Sequence, residues 1–110
     1  PHEKVSLYLS ACDVLLLTSL WEGSPNVIKE AMACNCPIVS TDVGDVGWII
    51  GDTSGCHVTT FSADDIATKL RDVLKAGQRT NGRERLLELG LDSESIAQKL
   101  ISVYKAAIEV

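Results

Sequence analysis

The size, composition and charge of the chain limit what it can be. It has 110 residues, 45% of them hydrophobic, enough for one domain with its own core and too few for a two-domain enzyme. The net charge of −5 leaves too few cations to neutralise a phosphate backbone, so we expect no nucleic-acid partner. No apolar run exceeds Val14–Leu17, and no basic and apolar leader opens the chain. We therefore expect a soluble protein without an export signal.

The cysteines favour a reducing compartment. The residues with soft metal-binding side chains are Cys12, Cys34, Cys36, Cys56, His2 and His57. Their spacing includes C-x-C and no C-x-x-C, which makes a poor zinc site. A hydrophobic domain of this size does not need disulfides, and Cys12 and Cys34 lie in apolar surroundings typical of buried free thiols. We therefore expect reduced thiols and a cytoplasmic protein.

The first half of the chain predicts a helix followed by a strand–helix–strand unit. The predicted elements are a helix over Glu3–Ala11, a strand over Asp13–Thr18, a helix over Pro25–Cys34 and a strand over Pro37–Thr41. Both strands are apolar without alternation, which is typical of parallel strands covered on both faces. Ser24 is expected to be the N-cap, and Pro25 the first residue, of the second helix. The unit should form a right-handed βαβ crossover.

The second half predicts mainly helices. After a turn-rich stretch, Trp48–Ile50 and His57–Thr60 are each predicted as a short strand or edge segment. Ser62 and Asp65 resemble a capping box before a helix that runs to Gly77. Further helices are predicted over Asn81–Leu89 and over Ser93–Glu109, the last with an apolar face and capped by Asp92 or Ser93. This α/β order lacks a first strand, so we expect a fragment of a larger protein.

The loop between the first two strands carries the candidate site. In parallel sheets, ligands collect where strands end and helices begin. Here that place is the segment Ser19–Asn26, with Glu22, a flexible Gly23 and a helix opening whose N–H groups at residues 26–28 should be free. The positive end of the helix dipole there suits a phosphate.

A second carboxylate lies one helical turn further on. Glu30 follows Asn26 by four residues, so both share one helical face. A carboxylate accepts hydrogen bonds from neighbouring hydroxyls, so a ligand with a phosphate at the helix opening and a vicinal diol deeper in would suit both acids. Taken singly, such acids are more often solvated surface residues. Their position on either side of a strand-to-helix turn, with Gly, Ser and Pro where that turn requires them, favours a site for a sugar nucleotide.

These residues resemble a known family. The segments 22–34 and 37–44 are similar to the E-x7-E region of retaining GT-B glycosyltransferases of family 4 type. The resemblance implies a Rossmann-like half of a GT-B fold, with a small parallel sheet flanked by helices and C-terminal helices. Residues 1–110 would then form a single sugar-nucleotide-binding domain. The N-terminal acceptor domain would be absent, and the chain alone is expected to lack activity.

The resemblance also implies residue roles. Glu22 would be the catalytic acid beside the donor sugar, and Glu30 would accept hydrogen bonds from the ribose hydroxyls. Asn26 and Val27, with Gly23 and Ser24, would complete the donor site. The substrate would be a nucleotide-diphosphate sugar, whose hexose passes to a glycan or lipid acceptor with retention of configuration.

The same resemblance implies the surroundings of the reaction. No metal or other cofactor is expected, because positive charges and the helix dipole would stabilise the departing diphosphate. The implied partners are the sugar donor and the missing N-terminal domain, and the implied process is polysaccharide biosynthesis. A cytoplasmic location is expected, and the full-length protein would be compatible with peripheral association at the inner face of the membrane.

Three departures from the family pattern, and two alternative functions, remain. Asn35 stands where the family often has Gly, and Asn is the next most tolerant residue of a left-handed conformation. Trp48 stands where an acid is frequent in the family, and the resemblance implies that the basic residues neutralising the diphosphate would lie upstream of Pro1. One alternative is a sugar-nucleotide epimerase of the same architecture. The other is a non-enzymatic nucleotide-binding or interaction module, although the chain contains no G-x-G-x-x-G and no Gly-Lys-Ser/Thr loop.

Overall fold

Three short parallel strands form the centre of an α/β fold. A computed structural model describes residues 2–109, with only the backbone of His2 included. In chain order the elements are a 3-10 turn (His2–Lys4), α1 (Val5–Ala11), β1 (Leu15–Leu17), α2 (Asn26–Ala33), β2 (Ile38–Thr41), α3 (Val46–Ile50), β3 (Cys56–Thr59), α4 (Ala63–Ala76), α5 (Gly82–Glu88) and α6 (Ser93–Glu109). The strand order is β1-β2-β3. The predicted small parallel sheet flanked by helices is confirmed.

The central strand is buried and its neighbour is not. All residues of β2 are buried, and its first residue, Ile38, aligns with Leu15 of β1 and with Cys56 of β3. The expectation that both predicted strands are covered on both faces is wrong for β1, where Leu16 is 44% exposed. Within residues 2–109 no strand pairs with the outer edge of β1. Apolar composition alone did not distinguish an edge strand from a central one.

The core lies on the face of the sheet covered by α2, α3 and α5. Ile28 and Met32 of α2 are fully buried and belong to one cluster with Ile49 of α3 and Leu86 of α5. Gly82 lets α5 approach α2 closely, because a Cβ at this position would lie 3.0 Å from the backbone and sulfur of Met32. The helix predicted over Pro25–Cys34 therefore has an apolar face, with Ile28, Ala31 and Met32 buried.

The segment Trp48–Ile50 is not a strand. It forms the end of α3, in which Ile49 and Ile50 are buried while Trp48 is 56% exposed. A short apolar run fits either a strand or a helix turn, and packing decides between them. Here Arg85 of α5 donates hydrogen bonds to the carbonyl oxygens of Ile49 (3.1 Å) and Trp48 (2.8 Å), which satisfies the end of the helix. The other ambiguous segment is a strand, β3, as expected.

The predicted side-chain caps of α2 and α4 do not form. Asn26 begins α2, Pro25 flanks it, and Ser24 makes no hydrogen bond to the helix. Ser62 does flank α4 but makes no side-chain cap.

The acid of the predicted capping box bonds further back along the chain. Oδ2 of Asp65 accepts hydrogen bonds from the backbone N–H (2.7 Å) and the hydroxyl (3.0 Å) of Thr60, which lower the pKa of this carboxyl. The predicted Asp92 cap is confirmed, since its Oδ2 accepts from the Ser95 N–H at 3.1 Å.

The carboxyl ends of α1 and α2 share one cation. The guanidinium of Arg79 donates to the carbonyl oxygens of Leu9 (3.1 Å), Cys12 (2.7 Å) and Cys34 (2.9 Å). A cation at helix carboxyl ends is favourable because the dipoles are negative there. Next to this cation, Asn35 has a φ of 54°, so the predicted left-handed residue is confirmed.

The last helix stands apart from the core. None of the residues of α6 is buried, so the predicted helix is confirmed but its apolar face has no partner among the described residues. No helix within residues 2–109 is long and apolar enough to cross a membrane.

The loops that follow β1 and β2 touch through their backbones. Gly44 has a φ of +53°, and a Cβ added to it would overlap the carbonyl oxygen of Gly23 and lie 2.6 Å from the carbonyl carbon. The N–H of Asp45, the next residue, donates to the same Gly23 oxygen at 3.0 Å. A side chain at position 44 would push these two loops apart.

We expect Gly44→Ala to lower the free energy of unfolding by about 3 kcal/mol or more, because strain and overlap add. Gly77→Ala is the matched control. Gly77 also has a positive φ of +58°, but its Cβ would meet nothing within 4 Å. The control should therefore lose only about 1 kcal/mol. Denaturant unfolding of both variants measures this, and equal losses would contradict the close approach.

The four cysteines are free thiols, but their burial differs from the prediction. Cys36 and Cys56 are buried, whereas Cys12 and Cys34 are only half-buried. Burial raises the pKa of Cys56 to about 11. Burial and the contact of its Sγ with that of Cys12 at 3.6 Å raise the pKa of Cys36 to about 12. Both thiols should therefore be weak nucleophiles.

We expect iodoacetamide at pH 8 to modify Cys36 and Cys56 roughly 100-fold more slowly in the folded protein than in denaturant, because little thiolate is present. Peptide mass spectrometry after timed quenching gives the rate at each cysteine. Modification of Cys36 or Cys56 as fast as that of the half-buried Cys34 would contradict the burial.

Candidate functional site

The candidate site lies where β1 and β2 end. The loop after β1 runs from Thr18 to Pro25, and the loop after β2 runs from Asp42 to Asp45. Parallel strands end at the same edge of a sheet, so both loops meet there. Their contact at Gly23 and Gly44 brings the first acid of the sequence motif beside the opening of α2.

Glu22 is held by the neighbouring strand. Its side chain is half-buried, and its Oε1 accepts a hydrogen bond from the Ser19 hydroxyl at 3.0 Å. The carbonyl oxygen of Ser19 in turn accepts from the hydroxyl of Thr41, the last residue of β2, at 2.6 Å. Glu22 is therefore linked to the central strand through one intermediate residue, which restricts where its carboxylate can lie.

The opening of α2 offers two donors. The N–H groups of Asn26 and Val27 have no acceptor among the described residues, whereas the N–H of Ile28 donates to the carbonyl oxygen of Pro25 at 3.2 Å. The expectation of three free N–H groups is thus wrong at Ile28, because the first turn closes back on Pro25. Two free donors and the helix dipole still suit an anion.

Glu30 lies on α2, one turn beyond Asn26. Its half-buried side chain lines an open groove of about 690 Å³ between α1, α2 and α5, with Ser6 and Arg83 among the walls. Glu22 has different neighbours, and no hydrogen bond within residues 2–109 connects the two acids. Helical spacing places Glu30 one turn beyond the opening of α2, and the structure does not bring it into contact with Glu22.

Sequence reasoning missed Asp45. Its Oδ2 accepts a hydrogen bond from the hydroxyl of Ser24 at 2.6 Å, so Ser24, an expected donor-binding residue, is already paired with a carboxylate. The position of Asp45 in the sequence could have identified it. An acid shortly after β2 must lie at the same edge of the sheet as the loop that follows β1, because the two strands are parallel. Among residues 2–109, no group of three or more His, Cys, Asp or Glu side chains is placed to hold a metal ion.

The chain is similar to known proteins over most of its length. The chain is 29% identical over 113 aligned positions to the MMP alpha-(1->4)-mannosyltransferase of Mycolicibacterium hassiacum, covering 96% of this chain and 27% of that protein. It is 34% identical over 109 positions to the N-acetyl-alpha-D-glucosaminyl L-malate synthase of Bacillus anthracis, covering 94% and 28% of the two chains. The chain thus spans little more than a quarter of the length of these relatives.

A solved structure and a family model extend the comparison. The sucrose-phosphate synthase from Thermosynechococcus elongatus superimposes with a TM-score of 0.88 at 29% identity, over 98% of this chain and 28% of that one. The family model of glycosyl transferases group 1 matches residues 1–90, and the sheet has the form expected for the Rossmann-like half of a GT-B fold. The chain belongs to the glycosyl transferases group 1 family.

Proposed function

We propose that the chain is the donor-binding part of a retaining glycosyltransferase of family 4 type. The full-length protein would transfer a hexose from a nucleotide-diphosphate sugar to a glycan or lipid acceptor. The observation that carries the proposal is the half-buried Glu22 next to a helix opening with two free N–H groups. The mannosyl and N-acetylglucosaminyl groups in the names of two relatives support a sugar of this class.

The diphosphate of the donor is assigned to the opening of α2. Its oxygens would accept from the N–H groups of Asn26 and Val27 at the positive end of the helix dipole. The dipole contributes about 0.3–1 kcal/mol when exposed and up to ~2 kcal/mol when partly buried. The loops there carry the acids Glu22, Asp42 and Asp45 and no lysine or arginine, so the dipole alone is too weak to hold a diphosphate. We therefore assign the cations that neutralise the leaving group to the rest of the full-length protein.

We assign one acid to the ribose of the donor and the other to its transferred sugar. Glu30, one turn into α2, would accept hydrogen bonds from the ribose diol. Glu22, held toward the ligand edge by Ser19, would face the transferred sugar and stabilise the charge that develops as its bond to the diphosphate breaks. Neither role requires a metal, and both use carboxylates as acceptors.

An amide-resolved NMR titration of this chain with UDP, GDP and ADP tests the proposal first. Part of a site is expected to bind with a dissociation constant near ~1 mM, with shifts centred on residues 23–30. Preference for one nucleotide would identify the class of donor. Absence of shifts in this chain, together with absence of nucleotide binding by the full-length protein, would contradict the proposal.

We expect Glu30→Gln to weaken nucleotide binding by the full-length protein by about 1.5–3 kcal/mol, because a charged acceptor is lost. Calorimetry with the preferred nucleotide measures the change. Glu84→Gln, which removes an exposed acid from α5, is the matched control and should bind as wild type does. Equal affinity of Glu30→Gln and wild type would remove Glu30 from the site.

We expect Glu22→Gln to lower the rate of sugar transfer roughly 100-fold while leaving nucleotide affinity nearly unchanged, because Glu22 would act on the developing charge of the sugar. Initial rates with the full-length protein give the first quantity and calorimetry the second. NMR of the product gives the anomeric configuration, and retention is expected. Release of a rearranged free sugar would instead identify an epimerase.

A further inference from the structure

Asp45 holds the segment before α2 in two ways. Its backbone N–H donates to the carbonyl oxygen of Gly23 at 3.0 Å, and its Oδ2 accepts from the hydroxyl of Ser24 at 2.6 Å. The two bonds fix successive residues of the loop that leads into Pro25 and the helix opening. A hydrogen bond to a charged acceptor is stronger than one between neutral groups.

The residue that makes these bonds is itself well anchored. The carbonyl oxygen of Asp45 accepts from the N–H of Ile49 at 3.0 Å, in the first turn of α3. Ile49 and Val46 are fully buried in the core cluster. Asp45 therefore connects the loop of the candidate site to a rigid part of the molecule.

The charge of Asp45 is incompletely compensated. Its second oxygen, Oδ1, is buried and has no hydrogen-bond donor among the described residues. An unpaired buried acceptor is unfavourable for folding. An asparagine could keep an acceptor for Ser24 without the charge, so the hydrogen bond to Ser24 and the negative charge can be separated experimentally.

The bond also determines what Ser24 can offer. Because its proton is given to Asp45, the Ser24 hydroxyl is directed toward the loop after β2 and away from any other acceptor. A diphosphate needs donors, so the contribution of Ser24 to its binding is then the conformation of the loop. That conformation decides whether the N–H groups of Asn26 and Val27 face the ligand before it arrives, which reduces the ordering cost of binding.

We propose that Asp45 is a positioning residue of the donor site, which acts through Ser24 to hold the opening of α2 ready for the diphosphate. The inference rests on the function proposed above. It assigns Asp45 no contact with the donor. The role requires of the Asp45 side chain only an acceptor oxygen within hydrogen-bond distance of the Ser24 hydroxyl.

Calorimetry on the full-length protein tests this, with UDP-glucose, GDP-mannose and ADP-glucose as probes and the tightest of the three used throughout. The variants are Asp45→Ala, Asp45→Asn, Ser24→Ala and the double variant Asp45→Ala with Ser24→Ala. Asp52→Ala is the matched control, because Asp52 is an exposed acid in the turn after α3. Melting temperatures are measured in parallel.

Asp45→Ala and Ser24→Ala are each expected to weaken binding about tenfold, the effect of losing one charge-assisted hydrogen bond. The double variant should bind no more weakly than either single variant, because both remove the same interaction. Asp45→Asn should bind at least as tightly as wild type, since it keeps the acceptor and removes a negative charge near the diphosphate. Asp52→Ala should leave binding unchanged.

Two results would overturn the inference alone: binding by Asp45→Asn as weak as that of Asp45→Ala, or losses that multiply in the double variant. If Asp45→Ala does not fold, the comparison of Ser24→Ala with Asp45→Asn decides, because the first must weaken binding and the second must not. Failure of the wild-type protein to bind any of the three sugar nucleotides would overturn the proposed function, and this inference with it.

Discussion

The contact between the backbones of Gly23 and Gly44 is the constraint on which the candidate site depends. It is possible only because Gly44 has no side chain and adopts a positive φ, whereas a Cβ at Gly23 would meet nothing within 4 Å. It brings the loop after β1 against the loop after β2. This approach allows the N–H of Asp45 to donate to the carbonyl oxygen of Gly23 and the hydroxyl of Ser24 to donate to the carboxylate of Asp45. Together with the burial of Ile28 and Met32 in the core, this approach positions the opening of α2 and its free N–H groups.

The amino and carboxyl edges of the sheet differ in the contacts that their residues make. At the amino edge, Arg79 binds the carbonyl oxygens that end α1 and α2, and Cys12 meets Cys36 just before the strands begin. These contacts stabilise the fold. At the carboxyl edge, free N–H groups and half-buried carboxylates remain available. Most contacts at the amino edge thus stabilise the fold, whereas the loops at the carboxyl edge carry the residues of the candidate site.

On the proposed function, the charges at the carboxyl edge would leave stabilisation of the leaving group to the rest of the full-length protein. Glu22 and Asp45 place negative charge beside a helix dipole that is worth at most about 2 kcal/mol. A departing diphosphate carries more charge than this dipole balances. The chemistry requires cations contributed from outside these loops, and the chain spans little more than a quarter of its relatives. Two acceptors and a dipole suit recognition of a donor, and leaving-group stabilisation then falls to the remainder of the protein.

Residue order was enough to determine the βαβ unit, the helix-rich second half and the left-handed Asn35, because each rests on a local pattern. The roles of Glu22 and Glu30 stay predictions. Apolar periodicity could not decide that Trp48–Ile50 is helical, since Arg85, far along the chain, satisfies the end of that helix. Nor could it predict that the Ser24 hydroxyl bonds to Asp45 instead of capping α2, or that Leu16 lies exposed on an edge strand. Those outcomes depend on which loops and strands meet in space. Local patterns determine the helices and strands, whereas the tertiary fold determines which residues contact one another.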